Sequence, residues 1–183
     1  SGWLQNANDP PWTTTFPLAI KPDNYPPYMA PRFMNFRAQR STRMLAEDEK
    51  ISFNEMVKYK HSTRMELADR LLDDLIPVAR QQGSELARQA ADILDAWDRQ
   101  ANANSRGAVL FAAWAEAMDL ESLFAIPWNE NSPRTTPDGL ANPSNAVATL
   151  EAAASKLKAA YGTLDVLWGD VFRLHYRDID LPA

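Results

Sequence analysis

Two asparagines one residue apart, Asn6 and Asn8, stand in the run Gly2-Trp3-Leu4-Gln5-Asn6-Ala7-Asn8-Asp9-Pro10-Pro11-Trp12. An asparagine amide is a neutral donor that keeps its protonation state while charge moves beside it. Aimed at a reacting carbonyl, it helps only as negative charge develops on the oxygen. The apolar residues ahead of Asn6 read as a strand, and the double proline as its end, because proline fixes φ and removes a ladder donor. Asn8 is therefore expected where a strand gives way to a turn. Arg37 is the second candidate. Its forked, permanently charged guanidinium suits a carboxylate or a backbone carbonyl.

Other chemistry is sparse. There is no cysteine, which excludes disulfides, thiol catalysis and cysteine–zinc sites, and two histidines, His61 and His175, do not suffice for a histidine-rich metal site. His61 reads as a loop residue between two helices. Asp69, Asp73 and Asp74 interleave with Arg64, Arg70 and Arg80, a pattern that solvated helix faces with (i, i+4) pairing account for. Trp97, Trp114 and Met118 read as core and Glu116 as surface. No glycine-rich phosphate loop, Gly-x-Ser-x-Gly elbow or His-Glu-x-x-His site is present.

The elements that must position these residues form a mostly α chain. Its 183 residues, 45% hydrophobic, suffice for a real core, and a net charge of -5 with interspersed signs argues against a nucleic-acid grip. No apolar run approaches the roughly 18 residues needed to span a bilayer. Residues 1–31 hold seven of the thirteen prolines and read as a strand and proline-rich loop segment. A helical region follows over 32–120. Its expected helices lie near 32–47, 53–60 after the capping box at Ser52 and Glu55, 63–81, 84–97 and 107–119. Pro77 should end or kink the third. Residues 121–143 read as an irregular loop with Asp138-Gly139 as a turn, and 144–183 as an alanine-rich helix and a C-terminal segment with a possible strand near 171–176.

The run Gly2 to Pro11 closely resembles the strand-and-turn segment of the penicillin acylase (penicillin amidase) family, acyl-homoserine lactone acylases included. Asn8 matches the family's asparagine whose side-chain amide donates to the oxyanion. Arg37-Ala38-Gln39-Arg40-Ser41-Thr42-Arg43-Met44-Leu45 looks like its arginine-led helix, with Arg37 matching the active-site arginine. Leu94-Asp95-Ala96-Trp97-Asp98 resembles a Leu-x-x-Trp-Asp helix end, and Ala112 to Met118 the next core helix.

The resemblance implies an internal part of the large subunit of an αββα N-terminal nucleophile hydrolase. Such a precursor cleaves itself, and the new N-terminal serine attacks an amide carbonyl with its own α-amino group as base. The substrates implied are β-lactam side-chain amides or N-acyl homoserine lactones. The implied partners are the rest of the large subunit and a small subunit from the same precursor, and the implied compartment is the periplasm or the exterior. The nucleophile is expected upstream of this segment, which alone should be inactive. Ser1 is the right chemical group, but seven residues of strand would set it roughly 23 Å from Asn8 at about 3.3 Å per residue. A chain boundary is the better reading of Ser1.

Trp12, Phe16, Tyr28 and Phe33 are candidate walls of the substrate pocket. No cofactor is implied, although some relatives bind calcium, so calcium is possible in the full-length protein. The stretch between Asn8 and Arg37 is longer than in the penicillin G enzymes. No acidic ligand carries over; Asp23 would be the residue to name. Two other classes stay open: a helical interaction module in which Asn6 and Asn8 merely cap a turn, and a processing product with a structural role.

Overall fold

Seven α-helices and four short strands form among residues 2–182, the described part of the computed structural model of this chain. They fall into two units, one of Ser1–Ser62 with Pro127–Pro137, the other of Thr63–Ile126 with Asp138–Ala183.

In the first unit the expected opening strand does not form. Residues 2–31 are loop with two single 3-10 turns, Pro11–Thr13 and Pro22–Asn24. A strand needs a ladder partner, and among the described residues the strand pairs are Phe124–Ile126 with Asp138–Leu140 and Arg173–Tyr176 with Ile179–Pro182, neither of which takes up residues 2–9. The chain folds back on itself instead: the Gln5 amide donates to the Thr14 carbonyl at 2.9 Å, and the Thr15 hydroxyl to the Trp3 carbonyl at 3.0 Å. Helix α1 (Phe36–Ala46) starts later than the periodicity predicts, because Asn35 takes the N-cap and accepts from the Ala38 amide at 2.9 Å. Helix α2 (Phe53–Lys60) opens on the expected Ser52–Glu55 capping box. Gln39, 1% exposed, donates from Nε2 to the Thr136 and Pro133 carbonyls at 2.7 and 3.1 Å. One buried amide thus fastens the 127–137 segment to α1.

The second unit is built on helix faces. It holds α3 (Glu66–Gln82), α4 (Glu85–Ala96), α5 (Ala108–Glu116), α6 (Pro143–Tyr161) and the single turn α7 (Trp168–Val171). Leu71, Leu72, Leu75, Leu94, Leu110, Phe111, Trp114 and Leu150 are essentially inaccessible. Each such side chain contributes about 1.5–3 kcal/mol by leaving water. Gly107, the N-cap of α5 at φ +90, lets the chain pass where a Cβ would meet the Trp97 Cβ at 2.7 Å.

Three expectations are corrected here. Helix α3 runs through Pro77 to Gln82. Pro77 and Asp73 are both exposed, so water can satisfy the Asp73 carbonyl that lost its donor. The irregular stretch 121–143 contains an antiparallel pair, β1 (Phe124–Ile126) with β2 (Asp138–Leu140). Asp138-Gly139 lies inside β2, with Gly139 at φ +71 and the Leu140 amide donating to Asp74 Oδ2 at 3.0 Å. The charged residues around α3 are also not simply solvated (i, i+4) pairs. Asp69 is held by Arg64 and Arg99 at 2.7 and 3.0 Å, Arg80 reaches Asp92 and Asp95 of α4, and Arg70 with Glu66 is a buried pair. The chain ends in a hairpin of β3 (Arg173–Tyr176) and β4 (Ile179–Pro182).

Candidate active site

Asn8 occupies the left-handed region at φ 60, which asparagine tolerates better than most residues. Its backbone amide donates to Asn6 Oδ1 at 2.9 Å, closing an Asx turn over Ala7. Arg37 approaches from α1. Its Nη2 donates to the Ala7 carbonyl at 2.7 Å and to Asn8 Oδ1 at 2.5 Å. Asn35 adds a longer contact from Nδ2 to the Asn8 carbonyl at 3.4 Å while its Oδ1 caps α1.

Arginine has no acceptor, so the atom it meets on Asn8 is the carbonyl oxygen of the amide. That fixes which way the amide faces. Nδ2 points away from Arg37, and it donates to nothing among the described residues. Both Asn8 and Arg37 are exposed. Arg37 is the second residue of α1, where the helix dipole disfavours a cation, and no acidic residue lies in that first turn. The guanidinium is therefore held at this helix start by two oxygens of one turn.

The four aromatic residues named from sequence do not gather. Trp12 is buried, its indole N–H given to the Pro31 carbonyl at 2.8 Å. Phe16 lies beneath the Arg134 guanidinium, 5.3 Å from its ring centre. Tyr28 is 86% exposed, and Phe33 tilts against Trp128 at 5.7 Å. Only Trp12 of the four lines the cleft of about 270 Å³ formed with Leu18, Lys21, Arg32, Trp128 and Pro133. Asp23 hydrogen-bonds Arg32 at 2.5 Å, and among the described residues no group of three or more histidines or carboxylates stands together to hold a metal ion. His61 is an exposed C-cap of α2, and Ser1 lies outside the described residues.

Sequence reading missed the residues that hold the turn: Asn35, Gln5, Asp9 and Thr13. Asn35 was visible as a cap, since Asn-Phe-Arg-Ala opens the arginine-led helix. Asp9 and Thr13 were not, because two prolines separate them and no regular helix or strand period brings their side chains together. Among the described residues no helix is long and apolar enough to cross a membrane.

The turn that presents an asparagine donor and the helix that presents its arginine are thus assembled within one unit of the chain. A family model described as penicillin amidase matches residues 1–181, nearly the whole sequence. The chain belongs to the penicillin amidase family.

Proposed function

We propose that this chain is part of an amidohydrolase that cleaves N-acyl amide bonds through an N-terminal serine contributed from outside it. The substrates are β-lactam side-chain amides or N-acyl homoserine lactones. Asn8 is the neutral donor of the oxyanion hole, and Arg37 orients it. The rest of the large subunit and a small subunit of the same precursor complete the enzyme, which works in the periplasm or outside the cell. The segment alone is inactive.

One observation carries this reading. Arg37 Nη2 occupies Asn8 Oδ1, so the Asn8 amide presents Nδ2–H outward. When the serine adds to the amide carbonyl, the carbonyl oxygen gains charge. A fixed N–H near it stabilises the tetrahedral species more than the planar substrate. The donor need not reorganise, because its carbonyl end is tied and its backbone is pinned through Asn6.

The test is Asn8→Ala in the complete, processed enzyme. A fall in kcat of about 10²–10³-fold with little change in folding is expected. Near-normal kcat would remove Asn8 from the mechanism. Parallel assays on N-acyl homoserine lactones and on β-lactam amides then decide the substrate class.

A further inference from the structure

The carboxylate of Asp9 sits at the centre of the turn that carries Asn8. Its Oδ1 accepts from the Ala7 amide at 2.8 Å, just before Asn8. Its Oδ2 accepts from Gln5 Nε2 at 2.8 Å and from the Thr13 hydroxyl at 2.5 Å. Gln5 and Thr13 are each 4% exposed, and Gln5 Nε2 also reaches the Thr13 carbonyl at 2.9 Å. One acceptor-only side chain therefore ties residues 5, 7 and 13 together around a residue at φ 60. No apolar side chain has this set of acceptors. Asparagine could keep the Ala7 bond, but it would turn an amino group toward two donors.

The geometry points to Asp9 as a positioning residue for the reaction: it locks the left-handed turn so that the Asn8 donor stays aimed, without touching the substrate itself. This rests on the oxyanion role of Asn8. A residue at positive φ is held there most firmly where its surroundings over-determine it. Asn6 fixes the Asn8 amide and Arg37 fixes the side chain. Gln5 already meets Thr13 and Thr14 across the turn, and Asp9 adds the bond that ties this buried pair to the Ala7 amide next to Asn8.

The experiment is a double-mutant cycle in the processed enzyme, with single-turnover rates, kcat and KM read on a chromogenic N-acyl amide. Asp9→Ala is expected to lower kcat about tenfold while KM moves less than about twofold, since a small misplacement costs rate rather than binding. In an Asn8→Ala background the same substitution should cost nothing further, because it acts through the missing amide. Thr13→Val removes one of the three donors and should show a smaller loss with the same coupling. If Asp9→Ala does not yield processed enzyme, Asp9→Asn and Thr13→Val carry the identical comparison. A large Asn8→Ala effect with unchanged kcat in the Asp9 and Thr13 variants overturns the positioning role and leaves Asn8 in place. An equal loss in both backgrounds also overturns it, assigning Asp9 to general structure. Unchanged kcat in Asn8→Ala defeats the oxyanion reading first.

Discussion

The two units of this chain are held together by different physics. In the first, single polar groups do the fastening: Asp9 gathers Gln5, Ala7 and Thr13, Arg37 holds Ala7 and Asn8, and Gln39 spans to Pro133 and Thr136. In the second, leucines, alanines and ring side chains on five helices bury one another. Hydrogen bonds contribute about 1 kcal/mol net each but are directional, so they fix atoms in place. Apolar burial is non-directional and contributes most of the stability. The difference assigns a division of labour. Substitutions in the polar unit should be felt in rate, and those in the apolar unit in stability.

The largest expected effect tests the polar side. Arg37→Ala removes the only donor to Asn8 Oδ1 among the described residues and frees the amide to rotate, so kcat should fall on the order of 10²-fold. Precursor processing should slow as well. The fall in melting temperature should be small, because the two hydrogen bonds lost are offset by taking a cation from a helix N-terminus that disfavours it. Arg37→Lys should recover part of the rate, since an ammonium keeps the charge and the donors but not the rigid planar guanidinium that aims them. A fully active Arg37→Ala enzyme would reduce Arg37 to a helix residue and erase the contrast between the units.

The matching test on the apolar side is Leu72→Ala. Leu72 is 0% exposed within the helical core, and its truncation should cost about 3 kcal/mol through lost transfer energy and a residual cavity. Thermal unfolding should report that loss, while kcat per folded molecule stays unchanged. A drop in kcat larger than the folded fraction explains would show that the helical unit also shapes the site.

How far the sequence could be read follows the same line. The helices of the apolar unit were legible from periodicity, since Leu67, Leu71, Leu75 and Val78 must share a face whatever else happens. Ser52 and Glu55 were legible as a capping box because both partners lie within four residues. The pairing of Asn8 with Arg37 was accessible only through a family pattern, because 29 residues separate them. What stayed hidden is the long-range polar wiring. Gln39 is an ordinary helix residue until it meets a carbonyl 97 residues away. Tyr28 is a candidate pocket wall by residue type alone, and in this chain it is 86% exposed. Asp69 looked like a surface charge and is not one.

Asp69 supplies the smallest of these effects and the sharpest control, because it is a polar fastening inside the apolar unit. Its side chain is 8% exposed and meets Arg64 and Arg99. Burial pushes its carboxyl upward, but the hydrogen bonds from Arg64 and Arg99 outweigh burial and hold it below the ordinary 3.8. A carboxyl lowered by folding binds fewer protons in the folded than in the unfolded chain. Its stabilisation is therefore complete above the unfolded value and is lost as pH falls through the folded one. Asp69→Ala should cost about 2 kcal/mol at pH 7. The gap to the parent protein should begin to narrow near pH 4 and close further below it. Taking the difference between the two proteins at each pH cancels the other titrating groups. A gap that stays constant from pH 7 to about 3 would mean that the arginines are not acting on a charge. Because Asp69 belongs to the helical unit, its loss should leave kcat untouched well below the unfolding midpoint. A fall in kcat there would show that chemistry, rather than the unit it sits in, decides where a polar contact is felt.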